Sequence, residues 1–505
     1  METPIFDFVK RYADSNPIRA HMPGHKGRDI ILKAKTDEFS GIYKYDITEV
    51  DGADYLSAPC GIISESERNA GQLFGCDTFY STEGSSLCIR AMLYLVKKRA
   101  EQAGRKPHIL AGRNAHASFV NACAILDIDV DWIMPLETES YESCSVDGEY
   151  IEGYIADILQ KNVDNTKNDN QRSIVSRSIP DALYVTSPDY LGNMLNIEEL
   201  AEVCHSNGML LLIDNAHGAY QKFLEITAFP IDLGADICCS SAHKTLPVLT
   251  GGAYLHISKS TDSFFAENAR QALSIFASSS PSYLILQSLD LCNEFLANKA
   301  LKEKLYRETA KRVNRLKKQL EETGYCLEGT EPLKITIDLM YLGIDGNTVS
   351  EMLKDDNIIA EYHDETHIVM MFSPANTDDD FLKIETVLTR IHEATNGAYT
   401  MDSDKKTESA SAKSDFPYIE SPIQNSNKAN TKRIPQPIRS MSFKDAMMAR
   451  AEYVDVKDSL GRIMAQPVLS CPPCVPLYVY GEVIGEDILN YYSGKITVVS
   501  QNAMP

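Results

Sequence analysis

From about residue 70 to residue 260, short apolar runs alternate with stretches of helical periodicity, and this alternation constrains the fold more than any other feature of the chain. Strands buried on both faces of a parallel sheet read as nearly continuous apolar runs, because neither face meets water. HILAG (108–112), ALYVTS (182–187), MLLLID (209–214), ADICCSS (235–241) and AYLHIS (253–258) have that character. Between them, 85–103 and 197–207 have helical patterns, the second closed by Gly208 as a C-cap. The expected class is therefore α/β, with a large domain built on a mainly parallel sheet. The polar stretch 161–180 is expected to be a surface excursion.

Further along, 286–324 carries one long helical pattern, LKITIDLM (333–340) reads as a strand, and a helix is expected around 348–354. A chain of 505 residues exceeds what one core usually serves. The expected division is an N-terminal arm with the large domain over 1–275, a smaller α+β domain over 276–395, a polar linker over 396–437 and a small C-terminal domain over 438–505. No apolar run is long enough to span a bilayer, and the N-terminus lacks the plan of a secretory signal. Twelve cysteines without disulfide-like rhythm fit reduced thiols. A soluble, cytoplasmic protein is expected. The formal charge of −22 argues against a nucleic-acid partner and favours cationic ligands. Cys471-Pro-Pro-Cys474 has neither a second CxxC nor a nearby histidine, so no metal site is expected.

Four features sit at strand ends, the edge of an open α/β sheet where ligands bind. Lys244 follows ADICCSS, and an amine partly desolvated there can lose its proton and attack a carbonyl. Asp214 ends MLLLID and is followed by His217; a carboxylate so placed is either a helix cap or the partner of a protonated ring nitrogen. Gly84, Ser85 and Ser86 open a helix after DTFYS, where backbone N–H groups, hydroxyls and the helix dipole suit a phosphate. His116 follows HILAG, and its ring could stack on an aromatic cofactor. Each feature alone has an ordinary structural explanation: surface lysine, cap, cap, satisfied histidine.

Taken in order, phosphate cup, ring stacker, acid and lysine resemble fold type I pyridoxal-phosphate enzymes. DITEVDGADYLSAPCGIISESERNAGQLFGCDTFYSTEGSS, IRAHMPGHKG, DNAHGAYQKF and SSAHKTLPVLTGGAYLH are similar to segments of the Orn/Lys/Arg decarboxylase family. So are PSYLILQSLD and CPPCVPLYVYGEVI, so the likeness extends over nearly the whole chain, in the form of the shorter, biosynthetic-type branch without an N-terminal receiver-like domain. The resemblance implies pyridoxal 5'-phosphate as cofactor, Lys244 as the Schiff-base lysine and Asp214 as partner of the pyridine nitrogen. It implies His116 stacked on the ring, and Gly84, Ser85 and Ser86 cradling the phosphate with Ser241 and His243. Ser279 or Ser280 would reach the phosphate of a neighbouring subunit, so a homodimer is implied.

The chain departs from that pattern in places. The family's DEAH is Asp214-Asn215-Ala216-His217, its HKS is His116-Ala117-Ser118, and its NGTS is Glu83-Gly84-Ser85-Ser86. Cys474 stands for the glycine of PPG and Tyr480 for the proline of PGE. The implied reaction is decarboxylation of a basic amino acid, arginine giving agmatine, with lysine and ornithine as alternatives. Lys244 or His217 would return the proton to Cα. Glu482, Glu361 and Asp364 are the acids that could meet a basic side chain. Competing readings are an aminotransferase or another amino-acid lyase using the same cofactor, and a catalytically idle binding protein.

Overall fold

A computed structural model describes residues 1–29, 40–167, 178–403, 437–469 and 473–501. Seven strands form the main sheet: β1 (Asp77–Ser81), β2 (His108–Gly112), β3 (Asp129–Ile133), β4 (Ala182–Thr186), β5 (Leu210–Asp214), β6 (Ile237–Ser240) and β7 (Ala253–Ile257). Their order is β1-β7-β6-β5-β4-β2-β3. Pairings β3–β2–β4–β5–β6 are parallel, and β7 alone runs against its two neighbours.

Because side chains alternate across a strand, each strand feeds two cores. Leu110, Leu183, Val185, Leu211, Ile213 and Cys238 point to one side, where they meet helices including Ile62–Phe74, Ile197–Ser206 and Tyr283–Ala297. Ile109, Ala111, Ala182, Tyr184, Leu212, Ile237 and Cys239 point to the other, against Gly84–Gln102, Ala117–Leu126 and Ser263–Phe276. The result is a three-layered architecture of the α/β class expected, on a mainly parallel sheet, and the five apolar runs are five of its seven strands.

The expected helix over 286–324 is two helices, Tyr283–Ala297 and Lys299–Thr323. Asn298 leaves helical geometry at φ −76°, ψ 84°, and its side chain accepts from the Leu301 N–H, capping the second helix. Beyond it lies an antiparallel sheet in the order β10-β11-β9-β8, from β8 (Cys326–Glu328), β9 (Lys334–Asp338), β10 (Tyr362–His363) and β11 (His367–Met371). Helix Asp378–Ser403 continues past 395, where the polar stretch was expected to begin as linker. The remainder of that stretch to 436, like 168–177 of the surface excursion, lies outside the described residues. Among the described residues no helix is long and apolar enough to cross a membrane.

The C-terminal segment forms two small ribbons, β12 (Ala451–Asp455) with β15 (Lys495–Val499) and β13 (Val468–Leu469) with β14 (Pro476–Tyr478), around Met464, Leu477, Ile488 and Val498. It docks on the main sheet through Arg113, which is wholly buried just after β2. The guanidinium donates to the Pro476 carbonyl at 2.7 Å and the Leu477 carbonyl at 2.9 Å, and pairs with Glu482 at 3.3 Å. Glu482 also accepts from the Val479 N–H at 2.7 Å. Removing one member of such a pair strands a buried charge, whereas removing both does not. Arg113→Met is expected to cost about 3–5 kcal/mol, and Arg113→Met with Glu482→Leu markedly less. Thermal unfolding followed by circular dichroism checks this; equal losses would rule out the pair as the docking element.

Candidate active site

Parallel strands β2, β4, β5 and β6 end together, and the residues that leave their C-terminal ends converge. Ser241 follows β6, and its hydroxyl lies 2.9 Å from that of Ser85 at the start of helix Gly84–Gln102. Gly84 holds φ +72°, a left-handed conformation natural to glycine, and a Cβ there would meet nothing within 4 Å, so the cup is open. Ser85 and Ser86 are half-buried beside it.

His116 caps helix Ala117–Leu126: its Nδ1 accepts from the Ser118 N–H at 3.1 Å and lies 2.7 Å from the Ser118 hydroxyl. Burial lowers its pKa, and an Nδ1 that accepts from a backbone N–H leaves Nε2 to carry the hydrogen of the neutral ring. Asp214, 3% exposed at the end of β5, accepts from the Tyr184 hydroxyl at 3.1 Å and the Ala216 N–H at 3.2 Å. The Cys239 thiol approaches it at 3.5 Å. Among the described residues no lysine, arginine or histidine forms an ion pair with it. A buried carboxylate supported only by neutral donors is short of a cation.

Lys244 lies in the short helix Ala242–Thr245. Its side chain keeps solvent access on one side while protein surrounds the rest; that burial lowers the ammonium pKa, with Asp214 and Glu361 acting in the opposite direction. Its Nζ is 2.8 Å from His217 Nε2. His243 turns its Nδ1 to the Gly252 carbonyl at 3.0 Å, which leaves Nε2 for other partners.

His217, 5% exposed, meets a second amine on its other side: Lys334 Nζ, on β9, is 3.2 Å from Nδ1. Lys334 also donates to the carbonyls of Asp189 and Tyr190, both at 3.1 Å. Tyr190 packs edge-on against the His217 ring, with centroids 5.3 Å apart. Sequence reasoning missed Lys334, Tyr190 and Tyr184. A lysine alternating with Ile335 and Ile337 on a strand carries no local signal of burial, and here the Asp189 and Tyr190 carbonyls of the loop after β4 take its ammonium.

The acids named for a basic side chain separate. Glu361 is exposed, lies 3.4 Å from the Tyr190 hydroxyl, and acts electrostatically on both Lys244 and Lys334. Glu482, named as a possible substrate acid, is already paired with the buried Arg113. Asp364 likewise has partners within the chain. It is buried, accepts from the Tyr362 hydroxyl at 3.1 Å, the Thr366 N–H at 2.7 Å and the His367 N–H at 2.8 Å, and pairs with the His367 ring at 3.3 Å. Ser279 and Ser280 are exposed on the loop before helix Tyr283–Ala297 and touch none of the other candidates. The same loop is tied to the cup where the Ser278 N–H donates to Glu83 at 2.7 Å.

The model of the family described as "Orn/Lys/Arg decarboxylase, major domain" matches residues 3–338. The chain belongs to this family. An arginine decarboxylase of Bacillus subtilis is 27% identical over 97% of this chain and 93% of its own length. One of Halalkalibacterium halodurans is 27% identical over 97% and 92%. Lysine decarboxylase A from Pseudomonas aeruginosa superposes with a TM-score of 0.74 at 17% identity, over 98% of this chain and 80% of that one, and so shares its fold.

His367 yields a pH prediction for this family member. Burial opposes its charged form, but Asp364 and Glu328 outweigh burial and raise its pKa from 6.5 to about 10. A histidine whose folded-state pKa is raised contributes stability fully below the unfolded value and loses it as pH rises through the folded one. His367→Gln is therefore expected to lower the melting temperature strongly at pH 6 and much less near pH 10. Melting curves across that window check it, and a pH-independent loss would exclude a charged His367.

Proposed function

We propose that this chain decarboxylates a basic amino acid with pyridoxal 5'-phosphate held on Lys244, and that the amino acid is L-arginine, giving agmatine and carbon dioxide. The observation that carries the reading is the buried Asp214 carboxylate, short of a cation, on the same sheet edge as the Lys244 amine. A protonated pyridine nitrogen would supply the missing charge. Ser85, Ser86 and Ser241, at the open cup over Gly84, suit the phosphate, with His243 Nε2 as a further donor or acceptor. His116, its ring orientation fixed by Ser118, would lie against the cofactor ring.

When bound, the cofactor serves as the electron sink that makes loss of the α-carboxylate feasible. The chain's own residues then do three things. Asp214 keeps the ring nitrogen charged, supported by Tyr184 and the Ala216 N–H. Lys244 and His217, at 2.8 Å from each other, hold the proton that returns to Cα. Glu361, the one open carboxylate among the three acids considered, meets the cationic end of the substrate beside Tyr190. Arginine is favoured by the relatives that match over nearly the full chain. We further propose a homodimer in which Ser279 or Ser280 reaches the partner's cup, since both are exposed on a loop tied to Glu83.

Reduction with borohydride after incubation with pyridoxal phosphate is expected to place the label on the peptide containing Lys244. Purified protein given arginine, lysine or ornithine should release carbon dioxide and the amine, fastest from arginine; a keto acid product would overturn decarboxylation. Asp214→Asn is expected to lower kcat by at least about 100-fold, the scale of a lost charge interaction of roughly 3 kcal/mol, while borohydride still traps the cofactor on Lys244. Glu361→Gln should raise KM for arginine more than it lowers kcat.

A further inference from the structure

His217 lies between two lysine amines, Lys244 Nζ at 2.8 Å from Nε2 and Lys334 Nζ at 3.2 Å from Nδ1. A neutral imidazole carries one N–H and one acceptor nitrogen, so it cannot accept from two ammonium groups. Only one of the two lysines can donate to it.

The surroundings decide which. Lys334 is 2% exposed, and its three hydrogens have three acceptors: the Asp189 carbonyl, the Tyr190 carbonyl and His217 Nδ1. The two carbonyls belong to the loop after β4, which β9 covers. Thr336, two residues along and on the same face as Lys334, donates to the Leu191 carbonyl of that loop at 2.7 Å. The lysine is thus fixed at both stem and head. Lys244 has one such partner and an open side.

We propose that Lys334 is a positioning residue: by donating to Nδ1 it fixes the His217 hydrogen on Nε2, directed at Lys244, and so holds the Lys244 amine in its neutral form. The inference rests on Lys244 being the cofactor lysine, because the neutral amine is the form that condenses with a carbonyl. Charges around the three groups are consistent with it. Lys334, lowered by burial to about 8, remains an ammonium at neutral pH with Glu331, Asp189 and Glu361 around it. His217 is pushed well below its ordinary value by burial and then by Lys244, Lys334, His116 and His243. Lys244 is lowered by burial against the pull of Asp214, Glu361, Cys239 and Cys474. Protonating Lys244 would turn its N–H toward Nε2, force the His217 hydrogen onto Nδ1 and set two donors against each other at Lys334.

The test reads Lys244 directly in cofactor-free protein. Competitive acetylation with acetic anhydride across pH, followed by peptide mass mapping, gives the pH of half-maximal reaction. Lys334→Met is expected to move the Lys244 profile upward by at least about one pH unit, the equivalent of one charge-assisted hydrogen bond. Lys334→Arg should restore part of that shift. Removing a nearby positive charge would by itself move the profile, so the cycle is completed in a His217→Leu background. There Lys334→Met is expected to move the profile much less, by the charge effect alone, and a full shift there would overturn action through His217. Neutron diffraction from deuterated wild-type crystals gives an independent answer free of folding defects in the variants: deuterium on His217 Nε2 with two on Lys244 supports the assignment, and deuterium on Nδ1 overturns it. Failure of borohydride trapping at Lys244 would instead remove the cofactor reading and leave the acetylation profiles as they stand.

Discussion

Thr186, Asp214 and Cys239 lie side by side because β4, β5 and β6 pair in parallel register. Everything at the site depends on that register. Parallel strands release their chains at one edge, so the residue after each strand emerges within reach of the others. A shift of one residue would exchange the two faces of a strand and carry Asp214 away from Tyr184. The apolar runs that fill both cores therefore also fix the chemistry, since they hold the register that brings a carboxylate, a hydroxyl cup and an amine to one place.

Concentrating charge at a buried edge has a cost, which the structure distributes. Lys334 is buried with every hydrogen used, Asp189 accepts from Ser143 and Asn193, and Glu331 accepts from Tyr220 and the Leu333 N–H. These satisfied groups form the fixed surroundings. Within them, Asp214 and Lys244 remain incompletely paired, the condition expected of groups that wait for a ligand. The contrast with Glu482 and Asp364 is instructive: both are equally buried acids, but their partners are already in the chain.

The C-terminal segment reaches the same edge. The Cys474 carbonyl accepts from the Ala117 N–H at 2.9 Å, next to His116. Cys474 holds φ +61°, a conformation that costs a side-chain-bearing residue on the order of 1–3 kcal/mol and that glycine adopts freely. The glycine of the family pattern would adopt that conformation without strain. Tyr480, the second departure, is largely buried and donates to Asn121 at 3.0 Å, away from Lys244.

What the chain determined by itself was the layered sheet and the four strand-end residues. Apolar runs and helical periodicity are local signals; Asp214 ends such a run, and Lys244, His116 and Ser85 each lie within a few residues of the end of one. Segment breaks were less legible: Asn298 divides a continuous helical pattern through a cap whose preference is weak in sequence and decisive in place. Only the tertiary structure decided which charged residues are free. Glu361, Asp364 and Glu482 are equivalent as letters, and they differ because Arg113 arrives from a distant segment to occupy Glu482, while the turn before β11 folds His367, three residues on, against Asp364. Lys334 shows the same limit in reverse, since a lysine alternating with isoleucines on a strand looks solvated until the loop after β4 closes over it and turns its ammonium toward His217.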